Sequence, residues 1–122
     1  MINITTTIRN GIEIAIIQSD ELLITDVQSA LDLIASIGYE KGCCRMVMNK
    51  EAIIESFFTL SSRFAGEILQ KFINYKMKIA IIGDFSCYTS KPLKDFIYES
   101  NHGKDVFFVS TVEEAIERLT FA

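Results

Sequence analysis

The chain is poor in the residues that build disulfide frameworks and metal centres: three cysteines and one histidine in 122 residues. Cys43, Cys44 and Cys87 are odd in number and the first two are adjacent, so no disulfide framework is expected. With no Cys-x-x-Cys pair and one histidine, no zinc or other metal site is expected. No apolar run approaches the roughly 18 to 20 residues of a membrane span. Thr5, Thr6, Thr7 and Arg9 interrupt the start of the chain, where a secretory leader would need an apolar stretch. The expectation is a cytoplasmic protein that does not enter a membrane. Basic residues are also sparse: 12 Lys and Arg against 16 Asp and Glu give a net charge of −4. Lys71, Lys76 and Lys78 form the densest basic stretch, too thin to line a groove, and Lys91 and Lys94 share a helix turn with Asp95. Nucleic acid is not an expected partner. There is no P-loop and no dinucleotide fingerprint, so no cofactor is expected.

What the chain does have is apolar mass. Hydrophobic residues make up 49% and charged residues 23%, enough for the core of one folded domain. No repeat, linker or low-complexity run divides it.

Residues 2–8 and 12–18 are rich in Ile and Thr with alternation in each. Asn10-Gly11 between them is a two-residue hairpin signal, because both turn positions need positive φ. Thr25 and Gln28 suggest a capping box. Val27, Ala30, Leu31, Ile34 and Ile37 follow at helical spacing, with Gly38 as the stop. Arg45 to Met48 reads as a short strand. Ile53-Ile54 and Phe57-Phe58 have no clean period, which suggests a covering loop with a turn of helix. Ser61 or Ser62 can cap the next helix, whose stripe would be Phe64, Ala65, Ile68, Leu69, Phe72 and Ile73.

Lys78 to Asp84 is the clearest strand, apolar on both faces as a strand covered on both sides must be. Ser90 caps a helix with Pro92, the one proline, in its first turn, where a missing N–H costs nothing. Leu93, Phe96 and Ile97 face inward and Gly103 ends that helix. Val106 to Val109 is the last strand. Thr111 with Glu114 forms another capping box, and Val112, Ala115, Ile116 and Leu119 mark the last helix. The order β-β-α-β-α-β-α-β-α implies an α/β domain with a mixed, mostly parallel, five-stranded sheet and helices packed on it.

Four stretches carry a family resemblance. They are residues 23–33 (Leu23 to Leu33), 65–75 (Ala65 to Tyr75), 82–86 (Ile82-Gly83-Asp84-Phe85-Ser86) and 95–103 (Asp95 to Gly103). Together they resemble the bacterial domain-of-unknown-function family 4180, and the likeness covers nearly the whole chain. That family has no established activity. A looser likeness is to the STAS fold of anti-sigma-factor antagonists, which has the same element order. It implies a phosphorylatable serine at a helix start, where Ser61 and Ser62 would match. Leu60 stands where that family has an acidic residue, and Arg63 where it has its first glycine.

In an open α/β sheet, ligands bind beyond the carboxyl ends of the parallel strands. That edge collects Asn49 and Lys50, then Asp84, Ser86 and Tyr88, then Ser110 and Thr111. Ser61 and Ser62 lie at the start of the helix after the first of these strands. The candidate binding rim is Ser61, Ser62, Arg63, Asp84 and Ser86. Hydroxyls and helix N-termini there suit an anion, although serine and threonine are also the commonest caps. Arg63, in the first helical turn, is slightly disfavoured by the helix dipole and hints at an acidic partner.

Glu99, Asn101 and His102 form a second candidate patch at a helix end. About 11 residues at about 1.5 Å each separate that end from the rim, so His102 should lie some 15 Å from Asp84 or Ser86. A triad across the rim is therefore not expected. Asn101 or Gly103 can instead take a left-handed cap. Cys43 and Cys44 precede a strand as His102 does, so a Cys–His dyad at that end is a competing reading. The residues together suggest a non-enzymatic regulatory or interaction module that binds a protein partner or a small anion at the rim. The alternatives are a small-ligand enzyme or sensor using the same rim, or a structural homo-oligomer.

Overall fold

A computed structural model describes residues 2–59 and 63–122. The chain opens with a hairpin, β1 (Ile2–Arg9) and β2 (Ile12–Ser19), joined at Asn10 and Gly11. Both turn residues have positive φ, 54° and 78°. This mirror-image turn matches the twist of the paired strands. There follow α1 (Val27–Ala35), β3 (Arg45–Asn49), α2 (Phe64–Asn74), β4 (Lys78–Ile82), α3 (Lys91–Asn101), β5 (Val106–Val109) and α4 (Val112–Thr120).

The five strands form one sheet in the order β1-β2-β3-β4-β5. β1 and β2 are antiparallel; every other neighbouring pair is parallel. Right-handed crossovers that all step in one direction put their helices on one face. So α1, α2 and α3 share a face. Their Ala30, Ile34, Ala65, Ile68, Leu69, Phe72 and Leu93 pack with Ala15, Ile17, Met46, Met48, Ile79, Ile81, Val106 and Phe108. α4 covers the other face alone, setting Ala115, Ile116 and Leu119 on Ile14, Val47, Ala80, Phe107 and Val109. Ala80 stands opposite Phe107 in the register, a small residue making room for a large one. Alternate residues of the inner strands enter opposite cores, which is why the sequence 79–81 is unbroken apolar residues, all buried.

Several local features differ from the sequence expectation. Asp26, not Thr25, caps α1: its carboxylate accepts the Ser29 N–H at 2.7 Å, and the Ser29 hydroxyl accepts the N–H groups of Thr25 and Asp26. The capping box is thus shifted by one residue and uses serine in place of glutamine. Gly38 does not stop the helix. A π-helical turn over Ser36–Glu40 prolongs it, and the residue with positive φ is Gly42, at 66°. α3 ends on a right-handed His102, and neither Asn101 nor Gly103 takes a left-handed conformation. Ile73, expected in the buried stripe of α2, is 43% exposed. The covering loop after β3 is built from two 3-10 turns, Lys50–Ala52 and Glu55–Phe58. It is pinned by a bridge between Ile24 and Ile53 and by burial of Phe57 and Phe58.

Candidate functional site

The carboxyl ends of β2, β3, β4 and β5 share one edge of the molecule because these strands are parallel. Asn49, the last residue of β3, is buried there and extends the pairing of β2 with β3 through its side chain. Its Oδ1 accepts the Ser19 N–H at 2.9 Å, and its Nδ2 donates to the Ser19 carbonyl at 2.6 Å and to Glu51 at 3.3 Å.

Lys50 comes next and folds back over the end of β4. Its ammonium lies 5.0 Å from the centre of the Tyr88 ring and 5.6 Å from that of Phe58. Glu55 is 4.0 Å away, and Tyr88 donates its hydroxyl to Glu55 at 2.7 Å. Hydrogen bonding to Tyr88 raises the Lys50 pKa against the opposing effect of burial. Burial raises that of Tyr88, against the pull of Lys50. At neutral pH Lys50 is therefore a cation and Tyr88 a neutral phenol. Phe58 stacks on Tyr88 at 5.3 Å and leans on Phe85 at 6.0 Å, and Phe85 meets Phe108 edge-on at 5.4 Å. These rings form an aromatic shelf beneath the loop that follows β4.

That loop is shaped by Asp84. Its Oδ1 accepts the Ser86 N–H at 2.9 Å and the Ser86 hydroxyl at 2.6 Å. The hydroxyl bond above all, with help from the Lys50 charge, holds the Asp84 carboxyl below its ordinary range. Gly83, Asp84, Phe85, Phe108, Val109 and Ser110 line a recess of about 370 Å³ at the rim.

The structure thus joins Asp84 to Ser86. Arg63 sits elsewhere along the rim. It is exposed, immediately precedes α2 and has φ of 60°, a strained value for a residue with a Cβ. It borders a groove with Val27, Gly66, Glu67, Gln70 and Lys71, not the recess of Asp84. Arg63 occupies the cap position but provides no side-chain cap. Ser61 and Ser62 lie outside the described residues. Ser90 and Thr111 cap α3 and α4, accepting the N–H groups of Leu93 and Glu114. Glu114 reaches back to Ser110 at 3.1 Å.

The second patch divides into separate roles. Asn101 faces β5 and bonds to the Phe108 backbone. His102 is exposed; its Nδ1 pairs with the Tyr98 carbonyl at 2.8 Å, and its ring lies 4.2 Å from the Tyr98 ring. Glu99 is exposed on the same helix. His102 borders a recess with Lys104, Phe107, Glu117 and Arg118. Cys43 and Cys44 border a different, apolar cavity of about 350 Å³ with Ile34, Gly38, Tyr39, Tyr75 and Met77. Cys43 is buried, its thiol bonds to the Lys41 carbonyl, and burial pushes its pKa up. The geometry therefore does not assemble a Cys–His dyad.

Glu55, Phe58 and Phe85 also belong to the rim, and sequence reasoning alone does not place them there. Glu55 and Phe58 sit in a loop with no period, and the only sequence hint is the five-residue step from Lys50 to Glu55. Among the described residues no group of three His, Cys, Asp or Glu gathers as metal ligands, and no helix is long and apolar enough to cross a membrane. Residues 9–119 match a family model described as a domain of unknown function (DUF4180). No curated protein matches the chain.

Proposed function

We propose that this chain, which belongs to the DUF4180 family of domains of unknown function, is a small non-enzymatic regulatory or interaction module that binds a protein partner at the carboxyl-edge rim. The observation that carries this reading is how the rim uses its polar groups. Asp84 is bonded to Ser86, Tyr88 to Glu55, and Asn49 to Ser19. These bonds tie the rim loops in place. What faces outward is the half-buried edge of Phe85 and Tyr88 between the Lys50 and Asp84 charges. An aromatic centre with a charged margin is the usual composition of a protein interface. Arg63 adds an exposed cation on the same side for an acidic partner. Ser61 and Ser62 directly precede it in sequence, and phosphorylation of either would place about −1.5 to −2 charges beside it and so alter partner binding.

The test is affinity capture with the full chain, followed by cross-linking of the complex. Cross-links should fall at Lys50 and in the Gly83 to Tyr88 loop. Phe85→Ala with Asp84→Lys should abolish capture, while His102→Ala should leave it intact. Capture that survives the rim variants overturns this reading. The rim recess lined by Asp84, Phe85 and Ser110 favours a second reading, a sensor or enzyme for a small ligand, including an anion. A metabolite collection screened by thermal shift separates the two. A ligand that stabilises the wild type but not Ser110→Trp, which fills the recess, would favour this second reading.

A further inference from the structure

The two edges of the sheet are built differently. β5 is four residues long, and the Asn101 side chain occupies both backbone groups of Phe108. β1, at the other edge, has eight residues and pairs with β2 without a bulge, from Ile2 opposite Ser19 to Arg9 opposite Ile12. Edge strands are ordinarily kept from pairing by shortness, bulges, proline, lysine or a covering segment. β1 contains no proline and no lysine, and its one charge, Arg9, lies at the turn. Among the described residues no strand lies against its outer side.

Its residue pattern is self-complementary. A two-residue hairpin closes on a mutually bonded pair, here Arg9 and Ile12, so the odd residues of β1 bond to β2. Ile2, Ile4, Thr6 and Ile8 then direct their N–H and C=O groups outward. Their side chains share one face, that of Ile4, which packs against the three-helix core. Ile2 is 46% and Ile8 69% exposed. Two such strands related by a two-fold axis at Thr5 set Ile2 against Ile8 and Ile4 against Thr6, each twice. The two Thr5 residues then form a close non-bonded pair, with Cα atoms about 4.5 Å apart. No charge falls within residues 2–8, so nothing in the overlap repels.

We propose that β1 pairs antiparallel with β1 of a second copy of this chain, fusing the two sheets into one. The pairing is isologous and closes at two copies. It uses an edge distinct from the rim and does not depend on the function proposed above.

Light scattering of the full chain across micromolar concentrations should give twice the chain mass, with a melting temperature that rises with concentration. Thr6→Pro removes only an outward N–H and keeps the ladder to β2, and Ile8→Lys adds an edge charge. Each should weaken the dimer at least tenfold while the far-ultraviolet circular dichroism stays that of the wild type. In a Cys44→Ser, Cys87→Ser background, Thr5→Cys should form an intermolecular disulfide on mild oxidation and Asn3→Cys should not. A wild type that is monomeric throughout, a dimer that persists in both edge variants, or no disulfide at Thr5 each overturns the proposal. So does a monomer whose β1 takes up an unrelated extended peptide.

Discussion

Asn101 holds Phe108 by both of its backbone groups: Oδ1 accepts the Phe108 N–H at 2.7 Å, and Nδ2 donates to its carbonyl at 3.1 Å. One carboxamide at the end of α3 thus replaces the strand that would otherwise continue the sheet beyond β5. Arg118 of α4 donates to the Asn101 carbonyl and lies 4.6 Å from the Phe107 ring, so helices from both faces meet at this edge.

Asn101→Ala should destabilise the protein by about 1–3 kcal/mol, because it strands a part-buried N–H and C=O on β5. Asn101→Asp keeps an acceptor for the N–H but faces the carbonyl with a second acceptor, so it should restore little at neutral pH. Urea unfolding of the three proteins checks this. Equal stabilities would show that water replaces the amide without cost.

How much of this was legible beforehand depended on whether the deciding contact was local. The Asn10-Gly11 turn and the Ser90 and Thr111 caps involve residues within a few positions of one another, and the sequence reads them correctly; the covering of β4 is tertiary, but it leaves an unbroken apolar run that a short window shows. The cap of α1 was misplaced by one residue because Thr25 and Asp26 are both competent caps, and only the backbone decides between them. The end of α1 was misplaced because a π-helical turn carries the chain past Gly38. The Lys50, Glu55 and Tyr88 group joins loops more than thirty residues apart, and no periodicity signals it. Asn101 looked like a helix terminator; its actual partner is on the next strand. Strand order, and with it the identity of the open edge, is a tertiary property that no window of sequence contains.

The cysteines should separate cleanly by reactivity. Cys44 and Cys87 are exposed and Cys43 is buried. A thiol reagent at neutral pH should titrate two groups in the native protein and three in denaturant. Burial raises the Cys43 pKa, so the folded state favours its neutral form. The resulting penalty on stability appears only as pH rises above the unfolded thiol's value of about 8.5. Cys43→Ala should remove that alkaline component. Three fast thiols in the native state would contradict the packing around Ile37 and Cys43.

His102→Ala should cost at most about 1 kcal/mol, since its ring is exposed and its bond is to the preceding helical turn. Rim binding should not change. Melting and partner titration on the same variant measure both.

Asp84 gives a pH prediction at the rim. The Ser86 hydroxyl and N–H favour the carboxylate, so the folded pKa lies below the unfolded one. The contribution to stability is therefore present above the ordinary aspartate value of about 3.9 and is lost as pH falls through the folded value. Ser86→Ala deletes the hydroxyl donor and leaves the N–H. The Asp84 midpoint, followed by carboxyl carbon NMR, should move up toward the ordinary value. A midpoint that stays put would assign the shift to the backbone N–H and Lys50 alone.

Gly83→Ala tests whether the end of β4 is shaped for Lys50. A Cβ at Gly83 would lie 2.9 Å from both Cβ and Cδ of Lys50. The Cβ contact cannot be relieved by rotating the lysine side chain, so the Lys50 backbone must shift. The cost should be about 1–3 kcal/mol, as for other overpacked sites. The ammonium would also move off the Tyr88 ring. Because Lys50 lowers the Tyr88 pKa against burial, its displacement should push the phenol's midpoint higher still, as read by ultraviolet difference titration. Lys50→Gly removes both clashing atoms. In that background Gly83→Ala should therefore cost much less than it does alone, a coupling that a double-mutant cycle resolves. Additive costs would mean that Gly83 is needed for its backbone and not for the lysine that crosses it.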